Sequence, residues 1–351
     1  MNILITGGAG FIGSHLSDYL LKEGHRVIVI DDLSTGSMEN IREAKQSARF
    51  EYHLDTIFNR RILAELIDTA DMVFHLAAAV GVRNIVESPV RTIETNVRGA
   101  ELVLELASKK AKRVLITSTS EVYGKSARLP FREDDDLVLG PTSKARWSYA
   151  CSKMIDEFLA LAYYHERKLP ATIVRLFNTV GPRQTGRYGM VLPNFVQQAL
   201  TGNPVIVFGS GDQSRCFTHV TDVTQALLQC AMSADTVGQV FNVGTTEEVT
   251  MNGLAEMVIS ATQSASLVRH ISYEEAYGSG FEDMDRRVPD ISKAAKFFGY
   301  KPLYSLVDVV TSVIDYHRHK AKKSTQTGTA EEPLPGTIDL VPVALLSSTD
   351  I

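Results

Sequence analysis

The opening stretch constrains the fold of this chain more than any other feature. An apolar run, Asn2-Ile3-Leu4-Ile5-Thr6, passes straight into Gly7-Gly8-Ala9-Gly10-Phe11-Ile12-Gly13 and then into an amphipathic helix ending near Lys22. Read from Gly7 the glycines follow G-x-x-G-x-x-G, and read from Gly8 they follow G-x-G-x-x-G. Such a turn is tight, lets a pyrophosphate touch the backbone and lets the helix pack closely on the strand. The positive end of the helix then faces the phosphates. A second apolar run, Arg26 to Ile30, ends in Asp31, where a carboxylate accepts adenosine ribose hydroxyls and repels a 2′-phosphate. Strand, turn, helix, strand and acid together predict a dinucleotide site, for NAD rather than NADP.

At 351 residues the chain can bury a large core, and 44% hydrophobic with 22% charged residues is an ordinary globular balance. A net charge of −5 makes no case for nucleic acid or a membrane surface, so anions must be met by local arginines. The first strand starts at residue 2, which predicts no signal peptide, and no apolar run is long enough to span a bilayer. Cys151, Cys216 and Cys230 show no paired or metal-like spacing and read as reduced thiols of a cytoplasmic protein.

Short apolar strands alternate with helical stretches through the first half: Ile3–Thr6, Val27–Ile30, Met72–Leu76, Val114–Ser118 and Thr172–Leu176, with helices such as Val90–Ser108 and Tyr149–Arg167 between them. The alternation predicts an α/β fold, a Rossmann-type doubly wound parallel sheet. From about Gly181 the pattern loosens. Helices at Leu192–Leu200, Val220–Met232, Met251–Ala261 and Ser305–His317, with a strand at Val205–Phe208, predict a smaller α/β lobe over the strand ends. The expected division is 1–180 for the NAD-binding unit, 181–318 for the substrate lobe and 319–351 for a flexible tail with an apolar patch at Ile338 to Leu346.

Tyr149 and Lys153 stand four apart and share one helix face. A lysine beside a phenol favours the phenolate, so Tyr149 is expected to have a lowered pKa and to take a proton from a sugar hydroxyl while hydride leaves. Thr119 lies at the end of a predicted strand and is placed to hydrogen-bond the same hydroxyl. The run Glu133-Asp134-Asp135-Asp136 reads as a solvated loop rather than a metal site. His75 reads as a packed imidazole, and Trp147 as an anchor for the helix start.

Taken in order, these pieces resemble the extended short-chain dehydrogenase/reductase superfamily, in its nucleotide-sugar epimerase/dehydratase branch. The matching segments are Thr6 to Gly13, His75-Leu76-Ala77-Ala78, Ser118-Thr119-Ser120-Glu121-Val122-Tyr123-Gly124, Tyr149–Lys153, Arg175-Leu176-Phe177-Asn178, Gly181-Pro182-Arg183, Ser214-Arg215-Cys216-Phe217 and Arg287-Val288-Pro289-Asp290. The resemblance implies NAD as cofactor and a nucleotide-diphosphate sugar, UDP-linked, as substrate. It places Gly7, Gly10, Phe11, Ile12 and Gly13 at the pyrophosphate, Asp31 and Asp32 at the ribose, and Asp55 and Thr56 near the adenine. It further places Leu76, Ala77, Ala78 and Asn96 along the cofactor cleft, with Tyr149 and Lys153 beside the cofactor. Asn178, Arg215 and Arg287 would hold the diphosphate, as two guanidinium groups and an amide suit it chemically. Val207 and Phe208 would border the base. Relatives are commonly homodimers through the two helices Val90–Ser108 and Tyr149–Arg167.

The branch begins with oxidation at sugar C4, and three positions bear on the fate of the resulting ketone. Glu121 resembles the acid that dehydratases and UDP-glucuronate decarboxylases use near C5. Ser120 matches GDP-mannose dehydratases rather than dTDP-glucose dehydratases, which carry aspartate. Met190 stands where decarboxylases place an arginine, and Tyr188 to Pro193 resembles the sugar loop of UDP-hexose epimerases. The expected reaction is therefore UDP-hexose 4-epimerisation, with 4,6-dehydration, UDP-glucuronate decarboxylation and a non-catalytic NAD-binding sensor or scaffold as alternatives.

Overall fold

The computed structural model describes residues 1–81, 85, 88–186, 189–277 and 282–327. Its first six strands are β1 (Asn2–Thr6), β2 (Arg26–Asp31), β3 (Phe50–Leu54), β4 (Met72–His75), β5 (Arg113–Thr119) and β6 (Ala171–Leu176). With Val240–Val243 they form a seven-stranded sheet in the order Val240–Val243, β6, β5, β4, β1, β2, β3, every pair parallel. The crossovers include helices α1 (Phe11–Lys22), α2 (Arg60–Thr69), α3 (Pro89–Ser108) and α4 (Trp147–Arg167).

Alternate strand residues feed opposite cores. Ile3, Ile5, Val27 and Val29 pack with Leu16 and Leu20 of α1 and with Val223 and Leu227 of the Val220–Met232 helix. Leu4, Ile28, Val73 and Ile116 pack with Leu63 of α2, Val103 of α3 and Ala160 of α4 on the other face. Coverage on both sides is why the strands read as unbroken apolar runs. The doubly wound parallel fold is thus the one the sequence predicts.

Two strands of the main sheet and one helix packed on it are absent from the sequence reading. β3, Phe-Glu-Tyr-His-Leu, is a half-exposed edge strand and lacks an apolar run. α2 follows the Asn59 cap, whose side chain accepts from the Ile62 amide. Val240–Val243 is short, and its Asn242 is buried because its amide ties Tyr123 to the Phe131 carbonyl. With the Val220–Met232 helix it shows that residues beyond 181 complete the main sheet.

The second core joins Val191–Leu200, Val205–Phe208, Met251–Thr262 and the long helix Leu306–Thr327. That last helix runs past His317 and His319, where the sequence reading ended it, since Lys and Ala are good helix formers. The rest of the expected tail, with Ile338 to Leu346, lies outside the described residues, as do Arg187 and Tyr188. The acidic run is not simply a solvated loop. Asp135 is buried, accepts from the Arg132 amide at 2.7 Å and pairs with Arg128 at 3.0 Å, while Glu133 accepts from the Asn242 amide at 2.8 Å. Among the described residues no helix is long and apolar enough to cross a membrane, and no His/Cys/Asp/Glu group could hold a metal.

Candidate active site

The glycine turn joins β1 to α1 by very close backbone approaches. Gly7 has φ +73°, and a Cβ there would stand 2.8 Å from the Ala77 nitrogen. A Cβ on Gly13 would stand 2.2 Å from the Gly7 oxygen. Gly10 caps α1 without a side-chain hydrogen bond, and only the Gly7 oxygen, at 3.1 Å, comes near its missing Cβ. Phe11 and Ile12 open the helix, so its first amides face a cradle without side chains. That cradle fits a dinucleotide pyrophosphate.

Around the cradle the expected residues are found, several already engaged. Asp31 ends β2 and is buried; its Oδ2 accepts from the Ala9 amide at 2.9 Å and its Oδ1 from Leu33 at 2.8 Å. It therefore braces the glycine turn, and burial raises its pKa against those donors. Asp32 is exposed and accepts from the Ser34 amide at 2.9 Å. Asp55 accepts from the Thr56 amide and from Asn59 Nδ2, which shapes the turn into α2. The Leu76 amide donates to the Thr6 carbonyl, and the Ala77 amide to the Thr6 hydroxyl. That hydroxyl also bonds His75 Nδ1 at 2.8 Å; burial and then Lys153 hold the imidazole at a pKa of about 3. Asn96 is a strut: its Oδ1 accepts from the Ala79 amide at 2.8 Å, and its Nδ2 donates to Ser152 Oγ on α4 at 3.1 Å. The segment after β4, including Ala78, is thereby pinned to the helix that carries Tyr149.

Tyr149 departs from its expected electrostatics. Burial and then the carboxylates of Glu121 and Asp156 push the phenol upward, against Arg146 and a hydrogen bond with Thr119. Lys153 Nζ donates to Asp156 Oδ2 at 2.7 Å in a buried pair, so its charge is neutralised close by. The expectation of a lowered Tyr149 pKa is corrected accordingly: burial first, and then the two acids, raise it. Thr119 lies within hydrogen-bond reach of Tyr149.

Glu121 sits in the turn Ser120–Tyr123 after β5, held by a buried network on its far side. There Arg175 grips Glu157 with Nε and Nη2, its Nη1 donates to the Tyr123 hydroxyl at 2.9 Å, and Ser118 donates to Glu157. Glu121 itself pairs with Arg146 and, at 3.6 Å, with Arg287. Asp283 pairs with Arg215 at 2.9 Å and with Arg146 at 3.4 Å. Burial opposes ionisation of both acids, but Arg146 and Arg287 for Glu121, and Arg215, Arg287 and Arg146 for Asp283, hold both pKa values below normal. Three arginines thus face two carboxylates, and burial together with Arg215 lowers Arg287 to about 10. Its Nε is buried with no hydrogen-bond partner. Such a cluster is receptive to another anion.

Arg215 and Arg287 lie side by side because the short strands Ser214–Cys216 and Arg286–Arg287 pair in parallel with those residues in register. Asn178 Nδ2 donates to the Cys216 carbonyl at 3.0 Å, which joins it to the same strand. Met190 precedes the Val191–Leu200 helix and is half-buried. On the alternating strand Val205–Phe208, Val207 points into the second core and is fully buried, whereas Phe208 is only half-buried. Sequence reasoning missed Arg146 and Asp283. The only local signals were a cation just before Trp147 and an acid just before Arg286-Arg287. Trp147 does start α4, and its Nε1 donates to Glu282 at 3.1 Å.

The family model for GDP-mannose 4,6 dehydratase matches residues 4–313. The chain belongs to this family of extended short-chain dehydrogenases/reductases. It is 40% identical over 316 residues to the UDP-N-acetyl-alpha-D-glucosaminuronate decarboxylase of Bacillus cytotoxicus, covering 90% of this chain and 97% of that one. It is 32% identical over 336 residues to UDP-glucuronic acid decarboxylase 1 of Xenopus tropicalis, covering 96% and 76% of the two chains. The UDP-glucuronic acid 4-epimerase of Bacillus cereus, solved with UDP-glucuronic acid and NAD, superposes with a TM-score of 0.82 at 28% identity, covering 91% of this chain and all of that one. This family member is therefore an NAD-dependent enzyme of the nucleotide-sugar epimerase, dehydratase and decarboxylase type.

Proposed function

We propose that the chain decarboxylates a UDP-linked hexuronic acid through transient oxidation at sugar C4. The observation that carries this reading is the cationic cluster beside Tyr149. Arg215 and Arg287 suit the diphosphate, and a third guanidinium, Arg146, lies with Glu121 near the phenol. Similarity to two decarboxylases over most of the chain supports it, and so replaces UDP-hexose 4-epimerisation as the main expectation.

In this reading Tyr149, with Thr119 hydrogen-bonded to it, takes the C4 hydroxyl proton. When bound, NAD would supply the hydride acceptor and, oxidised, a positive charge that offsets the burial and the two carboxylates acting on Tyr149. With C4 a ketone, the C6 carboxylate is β to a carbonyl. The C5–C6 bond breaks, carbon dioxide leaves, and its electron pair spreads over C5, C4 and the C4 oxygen. C5 takes a proton from solvent water at the Glu121 side of the cleft, C4 would regain its hydride, and the C4 oxygen regains the proton held by Tyr149. The product is a UDP-pentose.

Epimerisation at C4 is the second reading, favoured by Met190, whose thioether cannot bind a carboxylate. We further propose a homodimer through α3 and α4, which leave Ile93, Ile155 and Phe158 exposed, Phe158 at 68%. The purified enzyme should be given UDP-glucuronic acid and UDP-N-acetylglucosaminuronic acid, with carbon dioxide and products followed by NMR. Release of carbon dioxide with a UDP-pentose is expected. A C4-inverted uronic acid with no gas released would replace decarboxylation by epimerisation.

A further inference from the structure

We propose that Arg146 is a positioning residue, fixing the Glu121 carboxylate beside Tyr149 and tying it to Asp283 of the substrate lobe. The inference rests on the reading that Glu121 acts on the sugar, but not on which product forms. Arg146 is the last residue before α4 and is only 2% exposed. One terminal nitrogen donates to Glu121 Oε2, and the other reaches Asp283 Oδ1 at 3.4 Å. The guanidinium therefore bridges three separate segments: the turn after β5, the start of the catalytic helix and the Asp283 segment. Asp283 is held from the opposite side by Arg215 Nη2 at 2.9 Å, and the Arg215 Nη1 donates to the Asp285 carbonyl at 3.1 Å. Next door, Trp147 and Lys125 both grip Glu282. The junction is thus clamped at two successive acids.

The charges around Glu121 decide what removing Arg146 does. From α4 and the residue before it Glu121 faces Tyr149 and Arg146; from the segment ending in the 286–287 strand, Asp283 and Arg287; across Asp283 lie Arg215 and the Tyr273 hydroxyl, which is 3.5 Å from Asp283 Oδ2. Without Arg146 a single cation, Arg287 at 3.6 Å, is left to oppose both burial and the like charge of Asp283. Glu121 would then protonate at a higher pH and lose its fixed orientation.

The test uses the NAD-loaded enzyme and the variants Arg146→Met, Arg146→Lys, Glu121→Gln and the double variant Glu121→Gln/Arg146→Met. Infrared difference spectra across pH follow the carboxyl band that disappears in Glu121→Gln. In Arg146→Met that band should appear at a pH at least one unit higher than in the unsubstituted enzyme, and in Arg146→Lys at an intermediate pH. With whichever UDP-sugar the enzyme turns over, Arg146→Met should lower kcat by about 10²-fold, the scale of a misplaced reacting group. Its acid limb should move upward with the infrared transition, and in the Glu121→Gln background the same change should cost little more. An unmoved Glu121 transition in both Arg146 variants, or rate losses that multiply in the double variant, would overturn the proposal. The infrared arm needs no substrate, so it decides the inference even if no uronic acid is decarboxylated. Melting curves of Arg146→Lys separate a folding defect from a positioning one.

Discussion

Tyr149 and Lys153 share a helix face, yet the lysine is committed to Asp156, and burial with the carboxylates of Glu121 and Asp156 pushes the phenol upward. Tyr149→Phe keeps the ring and its packing but removes the proton acceptor. It should lower kcat by about 10²–10⁴, the usual worth of a general base, while the purified protein still carries NAD. Steady-state kinetics and cofactor content check this, and a near-normal rate would remove Tyr149 from the chemistry. At this scale the pattern of residue types was legible where partners lie close in sequence, as for Tyr149 and Lys153. It was not legible where they lie far apart. Asp283 meets Arg146 from 137 positions away, and no local spacing announces such a pair.

Among elements, β1, the glycine turn, α1 and β2 were readable because each carries its own signal: an apolar run, a turn without side chains, a helical stripe and a terminal acid. β3 and Val240–Val243 were not, since an edge strand and a strand with a buried asparagine both break the apolar rule. Helices α3 and α4 pack together on the sheet and still expose Ile93, Ile155 and Phe158 on their outer faces. An apolar set of this kind on two neighbouring helices is what an interface between copies would cover. If copies pair through this face as proposed, Phe158→Glu should shift the protein from dimer to monomer in sedimentation experiments while its circular dichroism stays unchanged. A wild-type protein that sediments as a monomer would discard the interface.

Across the whole molecule, the parallel sheet brings the glycine turn and the ends of β4 and β5 to one edge. The paired strands Ser214–Cys216 and Arg286–Arg287 bring Arg215, Arg287 and Asp283 against that edge. The cluster Val122, Tyr123, Phe131, Trp147, Phe177 and Met284 forms an apolar backing at the junction, so the charged groups rest on a packed surface. Preorganised charge over a dinucleotide cradle is what a reaction needs if it is to oxidise a sugar and then reduce it again without release. The most direct measurement tracks the C4 hydrogen itself. A UDP-uronic acid carrying deuterium at C4 should give a product that retains the label at C4, with no net reduction of the cofactor pool. Loss of that deuterium to solvent, or stoichiometric accumulation of reduced NAD, would contradict the account.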